Sequence, residues 1–406
     1  MKHILKFLKH PLLGPLLFFL AYIILPYLIV NKYSLFNLSI IKEYFLILIL
    51  FIVASEILFR LLYKLINKQN YFKIEKISFE DLSVEPHPNL PFVHKKNFKS
   101  SLGSSILNYP LSKNFYSSPV LQTNNLGYVN GIDGARDVKI PKPKGLFRIN
   151  CLGASTTQNY LQFNNEVYSY PLELERILKT KYNKNIEVNN CGSGGYTSSD
   201  ILVRSLLQNF DTDPNIIIFY HAYNDIKSYL TPGYLSDYSH SRKNLGENYY
   251  KFYLGSFIPN IPLNFINYLV NKWFSQNHRY SLVENISKGE YELDKVNNIE
   301  EGLKTFERNL QYLITICKSK NIKIILCSFC FYLYDEVKNS STHVNFNEIV
   351  KKENTIIKNL AKKNEIDFID ADNQIKKSKE NFVDTIHFSH KGMKNLAEII
   401  TDNINI

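Results

Sequence analysis

The hydrophobic pattern along the chain changes character at about residue 67. Before it lie two long apolar runs. Leu12 to Val30 carries no charge, and about 20 apolar residues in a helix cross the hydrocarbon core of a bilayer. Pro15 and Pro26 lie near the ends of this run, where a helix tolerates them best. No small-x-small cleavage signal follows; the next residues are Asn31, Lys32 and Tyr33, which favours a retained span over a secretory leader. A second run, Tyr44 to Leu62, contains Glu56 and Arg60, four apart and able to pair on one helix face. Residues 1–67 are therefore expected to form a membrane anchor, with transmembrane helices at about 12–30 and 44–62.

Residues 68–144 lose this pattern and carry many Pro, Asn, Ser and Gly turn signals. From 145 a regular alternation begins. Strands are predicted at 147–152, 186–190, 215–220, 322–329 and 366–369. Helices are predicted at 166–181, 198–210, 297–320 and 345–363, and from about 389 onward. Alternating strands and helices imply an α/β three-layer sandwich around a central parallel sheet. In such sheets the working residues sit on loops at the carboxyl ends of the strands. A Tyr-rich insertion at about 229–296 interrupts the alternation. Within it, Leu263, Phe265, Ile266, Leu269, Val270 and Phe274 recur at helical spacing near Trp273. A cap helix on the sheet is the plainer reading; a lid or acyl groove is the sharper one.

Composition narrows the function classes. With 45% hydrophobic and 21% charged residues, the chain is not of the disordered class. Its net charge of +11 comes from scattered lysines without a zinc-finger, homeodomain or RNA-recognition signature, so no nucleic-acid partner is expected. Lys2, Lys6 and Lys9 precede the first run, and Lys64, Lys68, Lys73 and Lys76 follow the second. Between them are only Lys32 and Lys42. The positive-inside rule then puts both ends, and the large domain, on the cytoplasmic face. The five cysteines are an odd number in a long chain, which argues against a disulfide framework. Cys327 and Cys330 form a C-x-x-C within an apolar run and have no second pair or His to complete a metal site, so they read as buried thiols. No metal or cofactor is expected.

Four segments fall where chemistry would be placed. They are Gly153-Ala154-Ser155-Thr156-Thr157, Gly192-Ser193-Gly194-Gly195-Tyr196-Thr197, His221-Ala222-Tyr223-Asn224-Asp225 and Asp384-Thr385-Ile386-His387. Each alone is weak. A Ser after a strand is usually a turn former. The glycines at 192 and 194 are followed by Thr197 where a dinucleotide fingerprint needs its third Gly, and no P-loop occurs.

In order and context, however, Ser, Gly, Asn and Asp-x-x-His together resemble the SGNH (GDSL-type) hydrolase family over residues 145–403. The resemblance implies a flavodoxin-like fold and a serine esterase. Carried over residue by residue, it makes Ser155 the nucleophile, His387 the general base and Asp384 its orienting carboxylate. It makes the N–H groups of Ser155 and Gly195, with the Asn224 amide, the oxyanion hole. Ser193 is the alternative nucleophile; His221 and His390 are alternative bases. Two positions depart from the family pattern: Ala154 stands where Asp is usual, and Ala222 where Gly is usual. The expected substrate is an acyl ester of a lipid, glycan or glycolipid. An O-acyltransferase acting on a glycan, or a non-catalytic membrane-tethered glycan-binding or assembly protein, are the alternatives.

Overall fold

The computed structural model describes residues 136–159, 161–163, 166–231, 233–241 and 298–406, together with most of 83–99, 122–129 and short pieces elsewhere before residue 136. The described residues from 83 onward belong to one compact unit, Asp81–Leu245 with Arg279–Ile406. The predicted span at 12–30 and the insertion helix with Trp273 lie outside the described residues. Of the second run, only Leu46, Ile47, Ile49, Leu50, Val53, Ala54 and Ile57 are described, and all are helical. Among the described residues no helix is long and apolar enough to cross a membrane.

The unit is organised by five strands, β1 (Phe147–Gly153), β2 (Ile186–Asn190), β3 (Ile216–Tyr220), β4 (Lys323–Cys327) and β5 (Asp367–Ile369). They are all parallel, in the order β5-β4-β3-β1-β2. This is a doubly wound sheet whose winding reverses between β1 and β3, and ligands bind such sheets in the crevice at that reversal. The sequence of β3, Ile-Ile-Ile-Phe-Tyr, is buried at every position. A central parallel strand is covered on both faces, so an unbroken apolar run replaces alternation. Burial of each Ile contributes roughly 1.5–3 kcal/mol.

Helices flank the sheet: α1 (Ser155–Gln158), α2 (Tyr170–Tyr182), α3 (Ser198–Arg204), α4 (Asn224–Tyr229), α5 (Ile299–Ser319), α6 (Ser341–Asn364), α7 (Ala371–Gln374) and α8 (His390–Asp402). α2 packs on α8, and α5 packs on α3 and α6. Their ends follow local chemistry. Thr197 and Asp200 form a reciprocal capping box at the start of α3. Ser389 Oγ accepts the Gly392 N–H to start α8.

Three predicted boundaries require correction. The helix expected from 166 begins at Tyr170, because Ser169 caps it and Pro171 occupies its first turn. Residues Glu166–Tyr168 instead pair antiparallel with Leu161–Phe163 in a small separate sheet. The helix expected over 198–210 is α-helical only to Arg204 and then widens and tightens through Ser205–Thr212. β4 ends at Cys327, so Cys330 lies beyond it rather than on the strand. Within 68–144, read as irregular, the structure adds two-residue strands at Val84–Glu85, Val93–His94, Ile106–Leu107 and Tyr116–Ser117.

An ionic cluster is buried at the start of β1. Arg148, fully enclosed, donates to Glu187 at 2.6 Å and to the carbonyls of Lys139 and Thr212. It sits at the entry of β1, opposite the carboxyl end where β1 hands the chain to Ser155.

Candidate active site

Ser155 is presented by a tight strand-to-helix junction. Gly153 ends β1, and a Cβ there would stand 2.0 Å from Thr157 Oγ1 and 2.5 Å from the Tyr220 carbonyl oxygen. Only Gly lets α1 approach β3 so closely. The N–H groups of Thr157 and Gln158 return to the Ala154 carbonyl, and Ser155 occupies the first helical position. Ala154, where the family usually has Asp, is 3% exposed.

His387 reaches Ser155 from the loop before α8. Its Nε2 lies 3.0 Å from Ser155 Oγ, and its Nδ1 lies 2.7 Å from Asp384 Oδ2. The other carboxylate oxygen, Oδ1, accepts the backbone N–H groups of Ile386 (2.8 Å) and His387 (2.7 Å). Asp384 thus builds the turn that carries His387 and also holds its ring. Phe382 and Phe388 bridge antiparallel across this turn, and Tyr332 N–H donates to Thr385 O. Burial would raise the Asp384 carboxyl, but the bonds from the His387 ring and from the two backbone amides more than offset it. The group is held below its ordinary value. The side chains of His387 and Asp384 are 22% and 23% exposed, so a substrate can reach them.

The glycine-rich segment from Gly192 to Thr197 runs beside Ser155. Gly192 packs against α1, where a Cβ would meet the Gln158 nitrogen at 2.3 Å, and a Cβ on Gly194 would lie 3.9 Å from Ser155 Cβ. Gln158 ties this loop down: its Oε1 accepts the Gly194 N–H at 2.8 Å, and its carbonyl accepts the Asn190 side-chain amide. Gly195 follows with φ +79°, a left-handed conformation that favours Gly. Among the described residues, neither the Ser155 N–H nor the Gly195 N–H bonds a backbone carbonyl. Asn224 opens α4 directly after β3. One of its amide hydrogens goes to the Tyr196 carbonyl at 3.0 Å, which leaves the other to donate elsewhere.

The alternative candidates are placed differently. Ser193 is fully buried and its Oγ accepts from Arg204. His221 is also fully buried and bonds Asp225 at 2.7 Å, an aspartate that additionally accepts from the Ser198 amide and hydroxyl. The His390 ring lies against Tyr168, with 3.8 Å between ring centroids and a tilt of 37°. All five cysteines are free and buried; burial pushes the Cys327 and Cys330 thiols up, the latter to about 11. No group of His, Cys, Asp or Glu that could hold a metal ion occurs among the described residues.

Three residues bonded to or around these segments escape a reading of the sequence. Gln158 is one; its place three residues after Ser155 in a one-turn helix was the only available signal. His94 is another. It lies 3.3 Å from the Gln158 amide, and burial, with the Arg204 charge, lowers it to about 4. The third is Glu353, on α6, whose carboxylate accepts the Tyr223 N–H (3.3 Å) and the Tyr229 O–H (2.7 Å).

A doubly wound α/β body with a serine, a histidine and a carboxylate in hydrogen-bond sequence at its reversal point defines an acyl-hydrolase class of protein. Residues 151–394 match the GDSL-like lipase/acylhydrolase family. That is well over half of the chain, and the protein belongs to this family; it is an ester-hydrolysing enzyme. Among curated proteins, none matches the chain. Among solved structures, it is similar to a lipase/acylhydrolase from Enterococcus faecalis at 15% identity and TM-score 0.38, covering 63% of this chain and 94% of that one. It is also similar to an acetylxylan esterase from Geobacillus stearothermophilus, at 15% identity and TM-score 0.38, covering 64% of this chain and 94% of that one. A GDSL-like lipase described as putative, from Parabacteroides merdae, has 14% identity and TM-score 0.40, covering 63% and 94% respectively.

Proposed function

We propose that the protein is a serine esterase that cleaves an acyl ester of a lipid, glycan or glycolipid, with Ser155 as nucleophile. The observation that carries this reading is the continuous relay from Ser155 Oγ to His387 Nε2 (3.0 Å) and from His387 Nδ1 to Asp384 (2.7 Å). A serine hydroxyl is a weak nucleophile and needs such a base. His387 takes the Oγ proton as Oγ bonds the ester carbonyl carbon. The carbonyl oxygen becomes an oxyanion, received by the N–H groups of Ser155 and Gly195 and the free amide hydrogen of Asn224. His387 then returns the proton to the departing alcohol, leaving an acyl-serine. Water, deprotonated by His387, releases the acid and restores the serine. Asp384 stays ionised throughout, fixes the tautomer and stabilises the imidazolium.

Labelling with a fluorophosphonate probe tests the assignment. The wild type is expected to label and Ser155→Ala not to. Labelling that survives in Ser155→Ala would remove Ser155 from its role, and a wild type that never labels would count against a serine nucleophile. A series of p-nitrophenyl esters from acetyl to octanoyl then ranks acyl length.

We also propose that residues 1–67 anchor the enzyme through two spans, with the catalytic unit on the cytoplasmic face. The charge-free run at 12–30 and the exposed side chains of Leu46, Ile49, Leu50, Val53 and Ile57 support the anchor, and the flanking lysines support the orientation. Extraction by alkaline carbonate, or digestion of the domain from outside intact cells, would contradict these two claims in turn.

A further inference from the structure

Asn224 is delivered by an unusual piece of backbone. Tyr223 has φ 50° and ψ −53°, and the Asn224 N–H donates back to the Ala222 carbonyl at 2.6 Å. This is a γ-turn of the rare, strained hand, formed by a bulky residue that pays a steric penalty for positive φ. Such a turn persists only where its surroundings over-determine it. Two sets of contacts do so. The Tyr223 ring packs against Phe331 (6.0 Å between centroids) and edge-on to Phe346 (5.7 Å). Its N–H is received by Glu353, 130 residues away on α6.

Glu353 has no exposed surface. A buried carboxyl is costly unless hydrogen-bonded, and its two bonds go to the turn at Tyr223 and to Tyr229 at the far end of α4. It therefore grips the helix that carries Asn224 at both ends. The Tyr229 ring is seated against Gly302 of α5, where a Cβ would stand 2.1 Å from the ring. Glu353 touches neither Ser155 nor His387 through any hydrogen bond among the described residues.

We propose that Glu353 is a positioning residue, which holds the Tyr223 γ-turn and so aims the Asn224 amide at the oxyanion. The inference rests on Asn224 being an oxyanion donor, as assigned above. Burial and the nearby Asp225 charge push the Glu353 carboxyl up from its ordinary range. Gln keeps the length of the side chain, one acceptor oxygen for the Tyr223 N–H and an NH₂ that the Tyr229 oxygen can accept. Met fills the same space with no acceptor.

The test compares kcat and KM for p-nitrophenyl acetate in Glu353→Gln, Glu353→Met, Asn224→Ala and the double variant. Loss of a well-aimed donor lowers kcat by about 10²–10³, and misaiming it in Glu353→Met is expected to give about 10–10² with KM little changed. Glu353→Gln is expected to retain most of kcat, and Glu353→Met to add nothing in the Asn224→Ala background. Wild-type kcat in Glu353→Met, equal losses in Gln and Met, or losses that multiply with Asn224→Ala would each overturn the proposal. Should Glu353→Met not fold, Glu353→Asp takes its place. Its shorter side chain withdraws the carboxyl from Tyr223, so kcat should fall, and an unchanged kcat refutes the role. An Asn224→Ala enzyme with wild-type kcat would instead remove Asn224 from the oxyanion site itself. A loss there without one in Glu353→Met would leave that site intact and reject only the positioning role.

Discussion

Replacing Asp384 by Asn is the most searching test of the relay, because the structure dictates which way the new amide must face. Asp384 Oδ1 accepts two backbone N–H groups, from Ile386 and His387, whereas Oδ2 meets only the His387 ring. Hydrogen bonds to a charged group contribute about 1.5–3 kcal/mol each. An amide nitrogen turned toward the two backbone donors would lose both bonds and set N–H against N–H. The amide oxygen therefore stays with the backbone, and the NH₂ group confronts His387 Nδ1. The imidazole must then accept at Nδ1 and carry its proton on Nε2, facing Ser155 Oγ at 3.0 Å. In that tautomer it cannot take the serine proton. The same wrong-tautomer effect costs about 10⁴ in kcat in the worked serine-protease case, or ~5 kcal/mol of barrier. The assay is steady-state p-nitrophenyl acetate hydrolysis near neutral pH, with the fold checked by circular dichroism. The Asp384 carboxyl is held below its ordinary value in the folded state. Its stabilising contribution is therefore present above the unfolded carboxylate value and is lost only as pH falls through the folded one. The turn thus stays formed in the wild type at the assay pH, and in Asp384→Asn the amide oxygen, kept on the Ile386 and His387 N–H groups, holds it. A kcat within tenfold of wild type in a folded Asp384→Asn enzyme would refute the relay.

Other outcomes follow from the same geometry. Asn224→Ala is expected to lower kcat by about 10²–10³ without loss of the fold, as read by kinetics and thermal melting; an unchanged kcat would take it out of the oxyanion site. His94 is lowered from 6.5 to about 4 in the folded state, so the unfolded chain binds more protons between those values. Stability should fall as pH drops through that window, by at most about 3 kcal/mol. His94→Gln should flatten this part of the urea-denaturation profile, and an unaltered slope contradicts the burial argument. Arg148→Met leaves the Glu187 carboxylate without its closest cation and is expected to cost about 3–5 kcal/mol, whereas adding Glu187→Leu should recover much of it; an additive further loss would speak against a paired cluster.

The sequence revealed the sheet because its strands are buried on both faces and read as short apolar runs, most plainly at Ile216–Tyr220. It singled out Ser155, Gly195, Asn224, Asp384 and His387 as candidates because each lies just beyond a strand or before the last helix, in a motif order that is itself informative. Helix starts were less legible. The apolar pattern extends back to Glu166, but the cap at Ser169 and the proline at 171 set the boundary. The supporting residues were hidden for a different reason. Glu353 looks like any glutamate on an amphipathic helix, and nothing near it in sequence indicates that its partner is Tyr223. The γ-turn is equally silent, since Tyr is a poor sequence marker for positive φ. Long-range hydrogen bonds and backbone strain come from tertiary closure, which local patterning does not encode.

The departure of the chain after α4 is fastened at its base. Tyr234 O–H bonds Thr305 Oγ1 at 2.6 Å and reaches the Glu301 carbonyl, while Arg308 holds the Ser236 carbonyl at 2.7 Å. The turns that follow α4 and the first half of α5 are thus stapled together. Helix α5 is thereby tied to the run of chain that carries Asn224 in two ways, through the Tyr229 ring seated against Gly302 and through these hydrogen bonds just beyond α4.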